Sequence, residues 1–341
     1  MPRLRHIARW DLDKTYLRTE FDSLRDLIRT AFEKPDRKRT NPGAATLIRE
    51  MVRSDVSVHI LSGSPEQMRS RLEDKLRLDG VTWESFTLKP NLQNLLRLRL
   101  RALRDQLGYK LPALLQSRCE VSGKDGAWPQ ETLFGDDAEA DAFVYSLYSD
   151  VSEGLIEVSL LEEICRRGRV YSDVRELVLF HAKRVPKVPT VERILIHLEG
   201  QSSPFAFDVY GPRLIPFYNY FQAALVVYED GRISPTGLLR VADEMIVQHH
   251  FDGDALARSY LDLSRRGHLR GLGVDAVCRA FDELSVVEVL TGAREVRVFV
   301  SRLPELADQA RAVHVPASSL GPNYLAMVEK HNRRNATRDS R

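Results

Sequence analysis

His6-Ile7-Ala8-Arg9-Trp10-Asp11-Leu12-Asp13-Lys14-Thr15 decides how the chain folds. Its apolar run stops at Asp11 and reads as a short buried strand. The carboxylates of Asp11 and Asp13 stand where the strand gives way to a loop, so both can face one site. Working outward, residues 56–61 (VSVHIL) are a second strand candidate, followed at once by Ser62-Gly63-Ser64-Pro65. Pro65 suits the first turn of a helix reaching to about residue 78, where no N–H is needed. Thr132-Leu133-Phe134 is a third strand, ending in Gly135-Asp136-Asp137, and residues 193–198 and 223–228 look like two more. Helical patterns at 21–32, 42–53, 65–78 and 92–107 alternate with these strands. That alternation implies an α/β chain, with a mostly parallel sheet and helices on both faces. In such sheets ligands bind beyond the carboxyl ends of the strands.

Glu229-Asp230-Gly231-Arg232 is a turn, and the character changes after it. Residues 236–248, 254–265 and 274–284 read as helices and 295–300 as a strand. The chain ends in the polar, basic stretch HNRRNATRDSR. The expected organisation is an α/β domain over 1–230, a mainly helical domain over 231–318 and a flexible basic tail over 319–341.

Composition excludes several classes. The chain has 341 residues, with 50 Lys+Arg against 48 Asp+Glu and a net charge of +2. The length suffices for about two domains with real cores. The even balance argues against binding nucleic acid through overall basicity. No stretch approaches the roughly 18–20 uninterrupted apolar residues of a membrane span. The segment MPRLRHIARWDLD lacks the apolar region of a secretory signal. Cys119, Cys165 and Cys278 are odd in number and include no CxxC pair. They argue against a disulfide framework or a zinc site and for a reducing, cytoplasmic setting.

Three further features join the DxDxT stretch. Ser62 offers a hydroxyl and nearby backbone N–H groups at a strand end and helix start, a suitable place for an anion. Lys110, in Tyr109-Lys110-Leu111-Pro112, offers a cation. Asp136, Asp137 and Asp141, in GDDAEAD, follow another strand. Lys89, in Thr87-Leu88-Lys89-Pro90, competes for the cationic role. Lys110 is preferred because it opens an apolar helical segment leading into the last motif.

The order DxDx(T/V), strand-end Ser, Lys, then GDDxxxD resembles the haloacid dehalogenase (HAD) superfamily of aspartate-nucleophile phosphohydrolases. Within it, the SGSP form, the KLPALL helix and a GDD…D run followed by Tyr145 look most like the catalytic domains of actin-patch-associated and lipin-like phosphatidate phosphatases. The resemblance implies a Rossmann-like HAD core over roughly residues 5–150, with a mainly helical C-terminal region beyond. It also assigns roles. Asp11 would be the nucleophile that forms an aspartyl-phosphate, and Asp13 the general acid and then base, with its backbone carbonyl on the metal. Ser62 would hydrogen-bond the transferring phosphoryl group while Lys110 balances its charge. Asp136 would ligate the metal, with Asp137 or Asp141 completing the shell, and Thr15 and Gly63 would support the site. Lys14 departs from the family pattern, where many relatives carry Gly, Asp or Glu.

Electrostatics points the same way. Asp11, Asp13 and Asp136 gathered together repel by about 4 kcal/mol per pair at about 4 Å and an effective dielectric near about 20. Such a cluster demands a divalent cation, and an all-oxygen set favours Mg²⁺.

The intervals 16–61 and 63–109 are each filled by two helices, leaving no room for a large cap domain. By analogy, HAD enzymes without a cap have open sites and act on large substrates, so phosphatidate or another large phosphomonoester is the expected substrate. A polynucleotide or protein phosphatase, or a catalytically silent module that binds phosphorylated lipids or partners, are the alternatives. Arg97, Arg101 and Arg104 form a stripe that reads either as a solvated basic face or as a surface for anionic headgroups at a membrane. In His249-His250-Phe251-Asp252-Gly253-Asp254 the adjacent histidines of a helix diverge, and Asp252 or Asp254 reads as the N-cap of the next helix.

Overall fold

The computed structural model describes residues 5–13, 15–17, 40–89, 103–123, 127–138, 140–286, 289–313 and 321–339. Six strands form one all-parallel sheet: β1 (Ile7–Asp11), β2 (Ser57–Pro65), β3 (Ser85–Lys89), β4 (Glu131–Asp136), β5 (Val191–His197) and β6 (Leu214–Phe217). Their order is β3-β2-β1-β4-β5-β6. From β1 the chain moves outward to β2 and β3, then returns to lay β4 on the other side of β1. The connections therefore diverge between β1 and β4, and a crevice opens at the carboxyl ends of those two strands. All five residues of β1 are buried, as a strand covered on both faces must be.

The connecting helices are α1 (Ala44–Arg53), α2 (Arg69–Leu78), α3 (Leu103–Glu120), α4 (Asp141–Glu153), α5 (Val158–Arg167) and α6 (Ser172–Arg184). Alternate strand residues feed two cores, following the period of 2. Trp10, Ile60, Phe134 and Leu195 face one core with Leu47 and Met51 of α1. Leu61, Leu133, Ile194 and Ile196 face the other with Leu111 and Leu115 of α3 and Val144 of α4.

Several elements differ from the sequence reading. Residues 223–228 are not a strand but lie in helix α7 (Tyr220–Glu229), capped by Asn219, whose side chain accepts from Gln222 N. Nearly every residue of α7 is buried, so its apolar run carries no helical period to read. The sixth strand is instead the short Leu214–Phe217, where Pro216 is tolerated on an edge. β3, the opposite edge, was not anticipated. Pro65 ends β2 in extended geometry, and a 3-10 turn (Glu66–Met68) precedes α2. Lys110 stands inside α3 rather than at its start. The helix expected at 21–32 and most of the helix expected at 92–107 lie outside the described residues.

Beyond Gly231 come α8 (Pro235–His249), α9 (Gly253–Arg265), α10 (Val274–Val286), α11 (Ala293–Ala312) and α12 (Tyr324–Asp339). The expected strand 295–300 is part of α11, where Val296, Phe299, Val300 and Leu303 are buried at helical spacing. Residues expected as a flexible tail form α12, which buries Tyr324 and Val328 in the second core. α8 places Leu238, Val241 and Met245 against the first core, and Arg240 pairs with Glu50 of α1. The helices after Gly231 thus extend the core that the sheet begins. Asp252 caps α9 by accepting from Ala255 N at 2.6 Å, and His250 ends α8 in the left-handed region. Among the described residues no helix is long and apolar enough to cross a membrane.

Candidate active site at the carboxyl end of the sheet

Asp11 is the last residue of β1 and Asp136 the last of β4, and these strands are direct neighbours, with Trp10 opposite Phe134. The pairing brings both carboxylates to one point. Asp141, the first residue of α4, turns back so that its Oδ2 accepts from Asp136 N at 3.1 Å. Carboxylate oxygens of Asp11, Asp136 and Asp141 lie within 4.8 Å of one another, all three buried. Lys110 reaches in from α3, its Nζ 3.0 Å from Asp11 Oδ1 and 2.5 Å from Asp141 Oδ1. The lysine is fully buried.

Beside this group, β2 leaves regular pairing with β3 between Leu61 and Pro65. The irregularity turns Ser62 and Ser64 toward the β1 loop. Ser62 Oγ donates to Asp13 Oδ2 at 2.8 Å, and Ser64 Oγ lies 3.1 Å from the same oxygen. Ser64 N donates to Ser62 Oγ at 3.0 Å. A β-carbon at Gly63 would meet nothing within 4 Å, so this glycine borders open space. The Asp13 carbonyl accepts from Thr15 N at 2.7 Å, leaving a second lone pair. Thr15 Oγ1 donates to Asp136 Oδ2 at 3.4 Å.

The structure brings Asp141, and not Asp137, to the carboxylate cluster. Asp137 is turned away from the cluster: its Oδ1 accepts from Gly200 N at 2.5 Å and its Oδ2 from Ser202 N at 2.9 Å, tying down the loop after β5. Consecutive residues leaving a strand point in different directions, and α4 returns Asp141, not Asp137, to Asp136. The Asp13 side chain is engaged by the two serines rather than by the carboxylate group. Lys110 meets the carboxylates of Asp11 and Asp141; Lys89 Nζ lies over the Tyr109 ring, 5.5 Å from its centroid. Of the arginine stripe only Arg104 is described, held by Asp105 at 3.2 Å and stacked over Tyr171; Arg97, Arg101 and Lys14 lie outside the described residues.

Sequence reasoning missed Ser64, although it stands in the same SGSP. It also missed Asn41 and Tyr220, which donate to the Thr15 carbonyl at 2.7 and 2.5 Å and carry no motif of their own. Tyr145, buried beneath Asp141, donates toward the Phe134 carbonyl at 3.4 Å. Burial pushes its hydroxyl well above the ordinary tyrosine range, and the Asp141 charge adds to that.

Among the described residues, the buried carboxylates of Asp11, Asp136 and Asp141 gather around the Lys110 ammonium. Buried charge is stable only when paired. The donors are all oxygen, a set that suits a hard divalent cation such as Mg²⁺ and not zinc or copper. The side chains of Asp11, Asp136 and Asp141 would hold it. The fold and site define an α/β protein with an acidic, lysine-bridged centre at a topological switch point. No family model, curated protein or solved structure matches the chain.

Proposed function

We propose that the chain is a Mg²⁺-dependent phosphomonoester hydrolase of the HAD type, working through an aspartyl-phosphate on Asp11. The observation that carries the reading is Lys110 Nζ bridging Asp11 and Asp141 where β1 and β4 end. Such a centre couples a carboxylate nucleophile to fixed positive charge, the combination that phosphoryl transfer needs.

An Asp11 carboxylate oxygen attacks phosphorus while the ester P–O bond breaks, and Asp13 gives its proton to the leaving oxygen. Asp13, now a carboxylate, then takes a proton from a water that attacks the same phosphorus. The bond to Asp11 breaks, releasing inorganic phosphate and restoring both aspartates. Ser62 and Ser64 orient Asp13 for both transfers. Lys110 offsets charge on Asp11 and the phosphoryl oxygens. Asp11, Asp136 and Asp141 would hold a Mg²⁺, which when bound would neutralise charge and polarise the phosphoryl group.

The substrate we assign, by the resemblance to lipin-like domains, is phosphatidate or another large phosphomonoester, met in the cytoplasm. The free state of Cys119, Cys165 and Cys278 is consistent with that setting. The test is Mg²⁺-dependent release of phosphate from a generic phosphomonoester by the wild type and by Asp11→Asn. Loss of turnover in the variant is expected. A wild type inactive on phosphatidate, a phosphopeptide and a generic ester alike would overturn the reading.

A further inference from the structure

Two donors from distant parts of the chain close on one carbonyl in the β1 loop. Thr15 O accepts from Asn41 Nδ2 at 2.7 Å and from Tyr220 OH at 2.5 Å. Two donors use both lone pairs of a carbonyl oxygen, so the orientation of this peptide is fixed from two sides. The same residue is tied at its N–H to the Asp13 carbonyl and at its hydroxyl to Asp136. Thr15 therefore links the general acid's backbone to a carboxylate of the acidic centre.

Tyr220 is itself held rigidly. It is the first residue of α7 and 1% exposed. Its ring stacks on Trp10 at 5.9 Å between centroids, and Trp10 stacks on Phe134 at 3.8 Å with an interplanar angle of 8°. On another side His197, paired with Asp136 across β4 and β5, lies 5.2 Å from the Tyr220 ring. Rings from β4, β1 and α7 thus form a stack immediately before the strand ends that carry Asp11 and Asp136. The phenol hydroxyl projects from that stack to the loop.

We infer that Tyr220 is a positioning residue: its hydroxyl sets where Thr15 and the Asp13 carbonyl stand relative to Asp136. This rests on the proposed hydrolase reading and deepens it. The tie runs through the Thr15 peptide, whose carbonyl accepts the Tyr220 hydroxyl.

The experiment compares the wild type with Tyr220→Phe, which keeps the ring stack and removes one donor. Mg²⁺ alone is titrated by thermal unfolding, and turnover of a generic phosphomonoester is measured in parallel. The Mg²⁺ concentration at half-maximal stabilisation should rise about three- to tenfold, the worth of one neutral hydrogen bond. kcat should fall by a similar factor while KM for the ester stays near the wild-type value. Asn41→Ala, acting on the same oxygen from the other side, should move the Mg²⁺ midpoint in the same direction. A Tyr220→Phe protein with wild-type Mg²⁺ midpoint and kcat overturns the inference, as does one that melts lower in EDTA with an unmoved midpoint, a purely structural effect. A wild type that binds Mg²⁺ and hydrolyses nothing overturns the hydrolase reading but leaves the midpoint shift to decide this one.

Discussion

Asp141 occupies the space that a side chain on Gly135 would need. A β-carbon at Gly135 would stand 2.5 Å from Asp141 Oδ2 and 2.6 Å from Asp141 Cβ. Glycine is therefore required here by the close return of α4 to the end of β4, and the GDD sequence has a steric cause independent of any chemistry. Gly135→Ala must push Asp141 away from Asp136 N and from Lys110. Forcing atoms into a packed site costs about 1–3 kcal/mol. Urea unfolding should show that loss, and Mg²⁺ should stabilise the variant less than it does the wild type. Equal stabilisation of both by Mg²⁺ would mean that the position of Asp141 does not matter to the metal.

The two aspartates of the GDD motif should separate cleanly by experiment. Asp136→Ala removes a member of the buried carboxylate group, so stabilisation by Mg²⁺ should vanish along with turnover. Asp137→Ala removes instead the acceptor for Gly200 and Ser202 N–H. Its Mg²⁺ response should stay close to wild type, while amide exchange at residues 200–202 accelerates as the loop loses its tether. A Mg²⁺ response lost equally in both variants would return Asp137 to the metal site.

The difference between Asp136 and Asp137 marks the limit of what the sequence discloses. That carboxylates gather at strand ends was legible because an apolar run followed by DxD, and another followed by GDD, each state where a strand stops. Which of two adjacent carboxylates turns inward depends on how α4 begins, and no spacing encodes that. The five-residue return to Asp141 was visible, its outcome was not. The fold was legible in the same uneven way. β1, β2, β4 and β5 announce themselves by length and apolarity, whereas β6 is four residues with a proline and α7 is apolar all round. Burial on every side erases the period that separates helix from strand. Asn41 and Tyr220 act through a backbone oxygen, a role that any donor at the right place fills, so no residue pattern flags it.

Lys110 and Lys89 should also part company. Lys110 is fully buried between two carboxylates, whereas Lys89 rests over an aromatic ring. Lys110→Met leaves buried carboxylates without their cation, and breaking such a pair typically costs about 3–5 kcal/mol. The deficit should shrink on adding Mg²⁺, which restores positive charge. Lys89→Met forfeits a cation–π contact worth about 0.5–1 kcal/mol when exposed. Urea unfolding of both at neutral pH measures the contrast; comparable losses would sink the assignment of Lys110 as the bridging cation.

Acid should unfold the protein from the amino end of the sheet, opposite the proposed site. At that end Glu131 accepts from Arg9 Nε and Nη2 at 2.9 and 3.0 Å, from Arg118 Nη1 at 2.9 Å and from Tyr148 OH at 2.7 Å. Burial alone would raise its carboxyl, yet the two arginines and the phenol hold it at about 2, below its ordinary 4.5. A carboxyl depressed in the folded state contributes stability above its unfolded value, and that contribution fades as the pH falls from 4.5 to about 2. Before that, two histidines act. Burial, with nearby arginines, lowers His59 and His268 from 6.5 to about 4. The unfolded chain therefore takes up protons first, and stability begins to drop as the pH falls below 6.5 and continues to about 4. Two descents are expected, the histidine one first. His59→Gln should make the first shallower, because one titrating group is gone. Glu131→Gln should lower stability already at neutral pH, since Arg9 and Arg118 lose their buried counter-charge, and should flatten the second. Unfolding free energies measured across this range decide it: if Glu131→Gln leaves the slope between 4.5 and about 2 unchanged, the acid sensitivity arises elsewhere in the molecule.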